Sequence, residues 1–294
     1  MGNLKEIRTR ISSIESTEKI TSAMKLVSAA KFRRSQQAIV NLRPYSSKLS
    51  EIMQNISDAS GAAEDMPLCA QRNAEKVVIV AITSNKGLCG NFNSSIIKET
   101  HHLIKTKYQK QLEAGDVQLI CIGKKGYEHL SKSYPVMFHN DHLLDKPEFA
   151  DLAPIAEDLM TKFVNKEIDC VEVIYNQFVN AATQTLTTEQ FLPIAPNQGK
   201  KAEESQIKSD YIFEPSKEEL FKTLIPRILK LQFYKILIDS IASEHGARMT
   251  SMSKATDNAN SMLKELRIKH NNARQSAITN ELIEIVSGAE ALNN

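Results

Sequence analysis

Three short stretches hold the residue types from which a chemical site could be built. The first, SNKGLCGN (84–91), gathers Lys86, Gly87, Cys89 and Gly90 in one turn after an apolar run. Backbone amides there could cradle a phosphate, or a thiolate could attack a substrate. The dinucleotide fingerprint GxGxxG is missing, however, and GxxxxGK[ST] occurs nowhere in the chain. No His or Asp follows Cys89 at a spacing that suggests a base, so a nucleophile is disfavoured. The second stretch, GKKGYEHL (123–130), is a strand-to-helix turn with two glycines, and ordinary α/β punctuation is a stronger reading than a nucleotide loop. In the third, HNDH, residues His139, Asp141 and His142 could face a metal, but with no second cluster of ligands a loop is the better reading.

Composition narrows the classes further. A chain of 294 residues with 41% hydrophobic content can bury a substantial core as one large domain or two modest ones. The net charge of +2 hides a skew: residues 1–50 carry ten Lys or Arg against three Glu, which calls for an acidic neighbour. Nucleic acid is disfavoured as that neighbour, because few aromatics interleave with charges that spread around a helix. Cys69, Cys89, Cys121 and Cys170 form neither a CxxC motif nor a dense disulfide framework, which favours a reducing compartment. No apolar run is long enough to span a bilayer, and the chain opens on amphipathic MGNLKEIRTRI rather than a signal-peptide pattern. Any association with a membrane is expected through partners.

The elements that must position these residues follow from periodicity. Leu4, Ile7, Ile11 and Ile14 recur at steps of 3, 4 and 3, and no glycine interrupts the chain from there to about Ile56, so one long helix is expected. After Ile14 the apolar stripe resumes at Ile20, Met24 and Val27, a shifted seam. The stretch 57–75 loses the period and gathers Gly, Pro, Ser and Asp, as a linker does. KVVIVAIT (76–83), VQLICIG (117–123) and DCVEVIYNQF (169–178) read as strands buried on both faces, with helices at 93–112, 125–133 and 148–166 between them. This alternation predicts a mainly parallel sheet in a Rossmann-like α/β domain. AATQTLTTEQFLPI (181–194) reads as an edge strand and 208–215 as a short extended segment.

SKEE (216–219) is a capping box ahead of a second long helix, with Pro226 placed to kink it. From Leu220 to Ile241 apolar residues crowd almost every face, which predicts burial against both the first helix and the α/β domain. From Met252 a heptad begins: Met252, Thr256, Ala259, Leu263, Leu266, His270, Ala273 and Ala277. Two long helices at opposite ends of one chain can close as an antiparallel coiled coil, and Ala, Ser and Thr at its seam make the pair thin. The predicted organisation is an N-terminal coiled-coil helix (1–58), a linker (59–75), an α/β domain (76–215), a C-terminal coiled-coil helix (216–288) and a tail (289–294).

Four segments, KITSAMKLVSAAKFRRSQ (19–36), TSNKGLCGNFN (83–93), ARMTSMSKATDNA (247–259) and ARQSAITNELIEIVSGAEAL (273–292), resemble the gamma subunits of rotary, F-type ATP synthases. Their order and separations match that family across essentially the whole chain. The resemblance implies a non-catalytic central shaft whose terminal helices turn inside a hexamer of alpha and beta subunits. It further implies that the α/β domain stands against the epsilon subunit and the membrane rotor ring of c subunits, and that proton flow is coupled to ATP synthesis or hydrolysis. No cofactor, metal, catalytic residue or nucleic acid is expected, and the place implied is peripheral, on the cytoplasmic face of a bacterial inner membrane.

Carried over residue by residue, the resemblance places Met24, Arg248, Gln275 and Thr279 at positions that influence coupling. An acidic collar on the beta subunits, a family property, matches Lys25, Lys31, Arg33 and Arg34. The turn that holds Lys86, Gly87, Cys89 and Gly90 resembles the family's, with two departures: Asn85 and Lys86 stand where Asp and Arg are usual, so an ion pair made by that aspartate is not carried over to this chain. The cysteine-bearing insertion of some plastid relatives is missing, and thiol regulation is not expected. Two other classes remain open at this stage: a nucleotide-binding α/β enzyme with helical appendages, and a coiled-coil scaffold.

Overall fold

The computed structural model describes residues 2–60, 67–181, 183–194 and 217–293. It divides into two compact units, residues 1–29 with 248–294, and residues 30–247. Helix α1 spans Gly2–Ser60 and helix α6 spans Lys217–Asn293, and both contribute to each unit.

The first unit is an antiparallel helix pair. Glu15 on α1 meets Arg267 on α6, Thr21 meets Thr256 and Lys25 meets Ser253, so the α6 partner falls in number as the α1 residue rises. The predicted C-terminal heptad forms the α6 side: Met252, Ala259 and Leu263 are buried, while Thr256, Leu266, His270, Ala273 and Ala277 are half-buried. On α1, Leu4, Ile7, Ile11 and Ile14 face the pair as expected. The shifted seam beyond Ile14 is corrected. Ile20 and Val27 are each 59% exposed, and Thr21 and Ser28 are buried in their place, so the seven-residue period set by Ile7 and Ile14 runs on unbroken. Hydroxyls can take these positions because their own helix satisfies them: Thr21 Oγ1 donates to Glu18 O at 3.0 Å and Ser28 Oγ to Met24 O at 2.7 Å. Neither of these two hydroxyls is left without a partner, and the small side chains keep the backbones close.

The second unit is built on a five-stranded sheet. In chain order it holds β1 (Val77–Ile82), α2 (Phe92–Lys107), α3 (Gln109–Ala114), β2 (Val117–Ile122), α4 (Lys124–Leu130), β3 (Val136–Asn140), a 3-10 turn (His142–Leu144), α5 (Phe149–Val164), β4 (Cys170–Phe178) and β5 (Gln184–Leu192). The strand order is β3-β2-β1-β4-β5, parallel except for β5, which runs antiparallel to β4. This is the Rossmann-like layering the alternation predicts. One sheet face packs Val78, Val80 and Val173 against Leu159 and Phe163 of α5 and Leu229, Phe233 and Leu237 of α6. The other packs Ile79, Leu119 and Cys121 against Ile96 and Ile104 of α2.

Several boundaries differ from the expectations. α1 runs to Ser60, past the expected end at 58. α6 continues through Asn293 where a tail from 289 was expected, because Ala, Glu and Leu after Gly288 are strong helix formers and one glycine costs only about 1 kcal/mol. The helix expected at 93–112 is broken at Tyr108, whose hydroxyl donates to the buried Glu172 carboxylate and so fixes the break to β4. β3 was missed, being a half-buried edge strand of five residues. Residues 67–75 are not a slack linker. Arg72 donates to Phe163 O at 2.9 Å and stacks on the Phe163 ring, Gln111 donates to Ala74 O, and Ile194 N to Leu68 O. The capping box at Ser216 and the segment 208–215 fall outside the described residues.

Candidate functional site

The β1–α2 turn is held from within. Asn93 Oδ1 accepts from Ser84 N at 2.9 Å, its Nδ2 donates to Ser84 Oγ at 2.7 Å and approaches Cys89 Sγ at 3.3 Å. Ser84 Oγ donates to Lys86 O at 2.7 Å. Lys86, Gly87 and Gly90 lie at the surface while Cys89 is buried, so the thiol belongs to the packing of the turn rather than to a reactive surface. Gly90 has φ +63°, a conformation that favours glycine, and Leu88 adopts φ +64° with its side chain 64% exposed. Asn85, where the family's aspartate is usual, uses both ends of its amide: Nδ2 donates to Asp141 O at 2.7 Å and Oδ1 accepts from Lys124 N at 3.1 Å.

That arrangement also decides the fate of the second glycine turn. A phosphate at the start of α4 would need the free amides of residues 124–126. All three are engaged: Lys124 N by Asn85 Oδ1, Lys125 N by Ser84 O at 3.0 Å and Gly126 N by Thr83 Oγ1 at 2.8 Å. Gly123, at φ +103°, is glycine because a Cβ there would lie 2.3 Å from the carbonyl oxygen of Thr83. The turn closes the sheet rather than opening a ligand cradle. His139 stacks on Tyr127 at 4.2 Å and His142 stands 3.6 Å from Asp141. Among the described residues, no three His, Cys, Asp or Glu side chains gather as metal ligands. Cys121, in the middle of β2, has its thiol pushed by burial from the ordinary 9.0 to about 12.

What remains is surface for a partner. On the helix pair Met24 is half-buried, and Lys25 is exposed with its Nζ donating to Ser253 Oγ at 3.0 Å. Gln275 and Thr279 are exposed on α6, about 33 and 39 Å from Ser253 at 1.5 Å per residue, so the structure does not bring them together with Met24. Arg248 is 8% exposed. In the second unit Lys31, Arg33 and Arg34 all point to solvent. The sequence reading missed the apolar surface beside Met24, where Ile20, Leu26 and Val27 are 59, 69 and 59% exposed. Extending the seven-residue period through Thr21 and Ser28 would have revealed it. A similar stripe of Ile278, Leu282 and Ile285 is exposed on α6.

The sequence profile of the family described as ATP synthase matches residues 3–292. The chain is 53% identical to the ATP synthase gamma chain of Flavobacterium johnsoniae over the whole of both chains. It is 52% identical to that of Flavobacterium psychrophilum over 99% of each. The chain belongs to the ATP synthase gamma-chain family. More distant relatives keep the same length, as in Geobacter sp. strain M21, where identity is 40% over 99% of each chain. Among solved structures, the fold is similar to a chain of the Euglena gracilis mitochondrial ATP synthase OSCP/F1/c-ring in rotational state 3. The TM-score there is 0.67 at 20% identity, covering 99% of this chain and 95% of that one. A chain of the rotor of the same enzyme in rotational state 1 gives a TM-score of 0.65 at 19% identity, over 94% and 99%. At that identity the likeness concerns the fold, and it extends to the terminal helices as well as the sheet.

Proposed function

We infer that the chain is the central shaft of a rotary ATP synthase, coupling proton translocation to ATP synthesis or hydrolysis, with the chemistry carried by other subunits. The observation that carries this reading is the antiparallel pair made by the two ends of a gamma-family chain, with exposed apolar and basic residues on its outside. The partners proposed are the alpha and beta subunits around the helix pair, and the epsilon subunit and c ring at the α/β domain. No helix among the described residues is long and apolar enough to cross a membrane. The chain therefore reaches the membrane through those partners, at the cytoplasmic face of a bacterial inner membrane. Ile20, Leu26 and Val27 give the hexamer a smooth apolar face. Lys25, Lys31, Arg33 and Arg34 meet acidic groups through exposed pairs worth only about 0–1 kcal/mol each, weak enough to be exchanged during rotation.

Met24 lies next to Lys25 and within four residues of Ile20, Leu26 and Val27 on α1, and Arg248, Gln275 and Thr279 are proposed as further coupling positions. Met24→Lys, measured in the assembled complex, is expected to lower ATP-driven proton pumping relative to ATP hydrolysis while the chain still folds. An unchanged ratio of the two rates would remove Met24 from the coupling surface.

A further inference from the structure

Helix α6 changes character over residues 236–247. Each of these twelve consecutive residues is buried, so the helix is enclosed on every side rather than along a stripe. The enclosed stretch includes Asp239, Ser240, Ser243, Glu244 and His245, polar residues that an apolar core would not choose. At its end Gly246 meets the turn between β4 and β5. A Cβ added to Gly246 would stand 3.1 Å from Ala181 O and 3.6 Å from Phe32 Cε2 on α1. Beside Ala181, Asn180 and Thr183 exchange backbone hydrogen bonds at 3.2 and 3.3 Å, and Thr183 N also donates to Asn180 Oδ1 at 2.8 Å. Phe178, at the end of β4, packs edge-on against Phe32 with ring centroids 5.5 Å apart. The hairpin thus touches α1 through Phe32 and α6 through Gly246.

We propose that the β4–β5 hairpin is the grip by which the α/β domain holds both long helices against twisting, with Gly246 as its positioning residue. The inference rests on the shaft reading and adds where the torque crosses from sheet to helix. A glycine in a helix interior is unfavourable relative to alanine, so its presence here asks for a reason, and the close approach to a backbone carbonyl supplies one. Backbone against backbone leaves no flexible side chain to yield when the helix is turned. Packed contacts of this kind have discrete arrangements rather than a continuous range, so the grip holds until a threshold and then gives.

The test uses the assembled, membrane-bound complex carrying Gly246→Val, with ATP hydrolysis and proton pumping measured as an opposing proton gradient builds. A loosened grip leaves the ratio of pumping to hydrolysis near normal without a gradient and lowers it by about twofold or more under load. A ratio equal to the parent's at every load overturns the proposal, and so does an equal fall in both rates at all loads, which would mark a merely structural role. Phe178→Ala, which removes the ring contact from the other side without adding bulk, is measured in parallel, so a Gly246→Val chain that fails to assemble does not end the test. If the unsubstituted complex pumps equally well with and without this chain, the shaft reading itself falls, an outcome separate from any result with the variants.

Discussion

Asn85 donates to Asp141 O and accepts from Lys124 N, and an ionised carboxylate, which only accepts, cannot do both. An aspartate in the same place would set a carboxylate oxygen against the carbonyl of Asp141. Asn85→Asp is therefore expected to lower the stability of the chain by ~1–3 kcal/mol, toward the lower end because the side chain is only half-buried, as read by urea denaturation. An unchanged midpoint would show that the contact to Asp141 is dispensable. The departure from the family at this position was legible in the sequence, but its meaning was not. The two partners of Asn85 lie 56 and 39 residues away, and nothing local announces them. The buried state of Cys89 was hidden for a related reason, since Asn93 and Ser84 close over it only once the turn is formed.

The two long helices and three of the five strands could be read from periodicity because each has a dominant burial pattern: continuous runs for β1, β2 and β4, and heptads for the helix pair; β5 was legible instead as an edge strand after a turn. β3 escaped because VMFHN is half-buried on either side of the exposed Phe138 and shows neither alternation nor a continuous apolar run. The seam of α1 was misread past Ile14 for the opposite reason, since apolarity was followed where the structure follows size. That correction carries a quantitative expectation. Ile20→Gln should leave the stability of the isolated chain within about 0.5 kcal/mol, because the side chain is 59% exposed. Ser28→Leu should cost about 1–3 kcal/mol by forcing a large side chain into a position 2% exposed. Chemical denaturation of the two variants separates the assignments, and the reverse order of effects would restore the shifted seam.

For the molecule as a whole, fold alone does not decide between a shaft and a nucleotide-binding enzyme, because a mainly parallel sheet with glycine turns serves both. Beside the family match, the direction of the turn amides weighs against the enzyme. Residues 124–126 give theirs to Asn85, Ser84 and Thr83, so the helix N-terminus that would hold a phosphate is already satisfied by the chain. The isolated chain should therefore gain no thermal stability from ATP or NAD. A true binder at a ligand concentration of about 100 times Kd gains about 2.7 kcal/mol, a rise in Tm on the order of 5 °C for a protein of this size. A shift of that size, lost on adding a side chain at Gly123, would show that the turn opens to accept a phosphate, and the nucleotide-binding reading would return. With no shift, any nucleotide dependence of the assembled complex has to arise in its other subunits, and this chain affects turnover through the surfaces it turns past them.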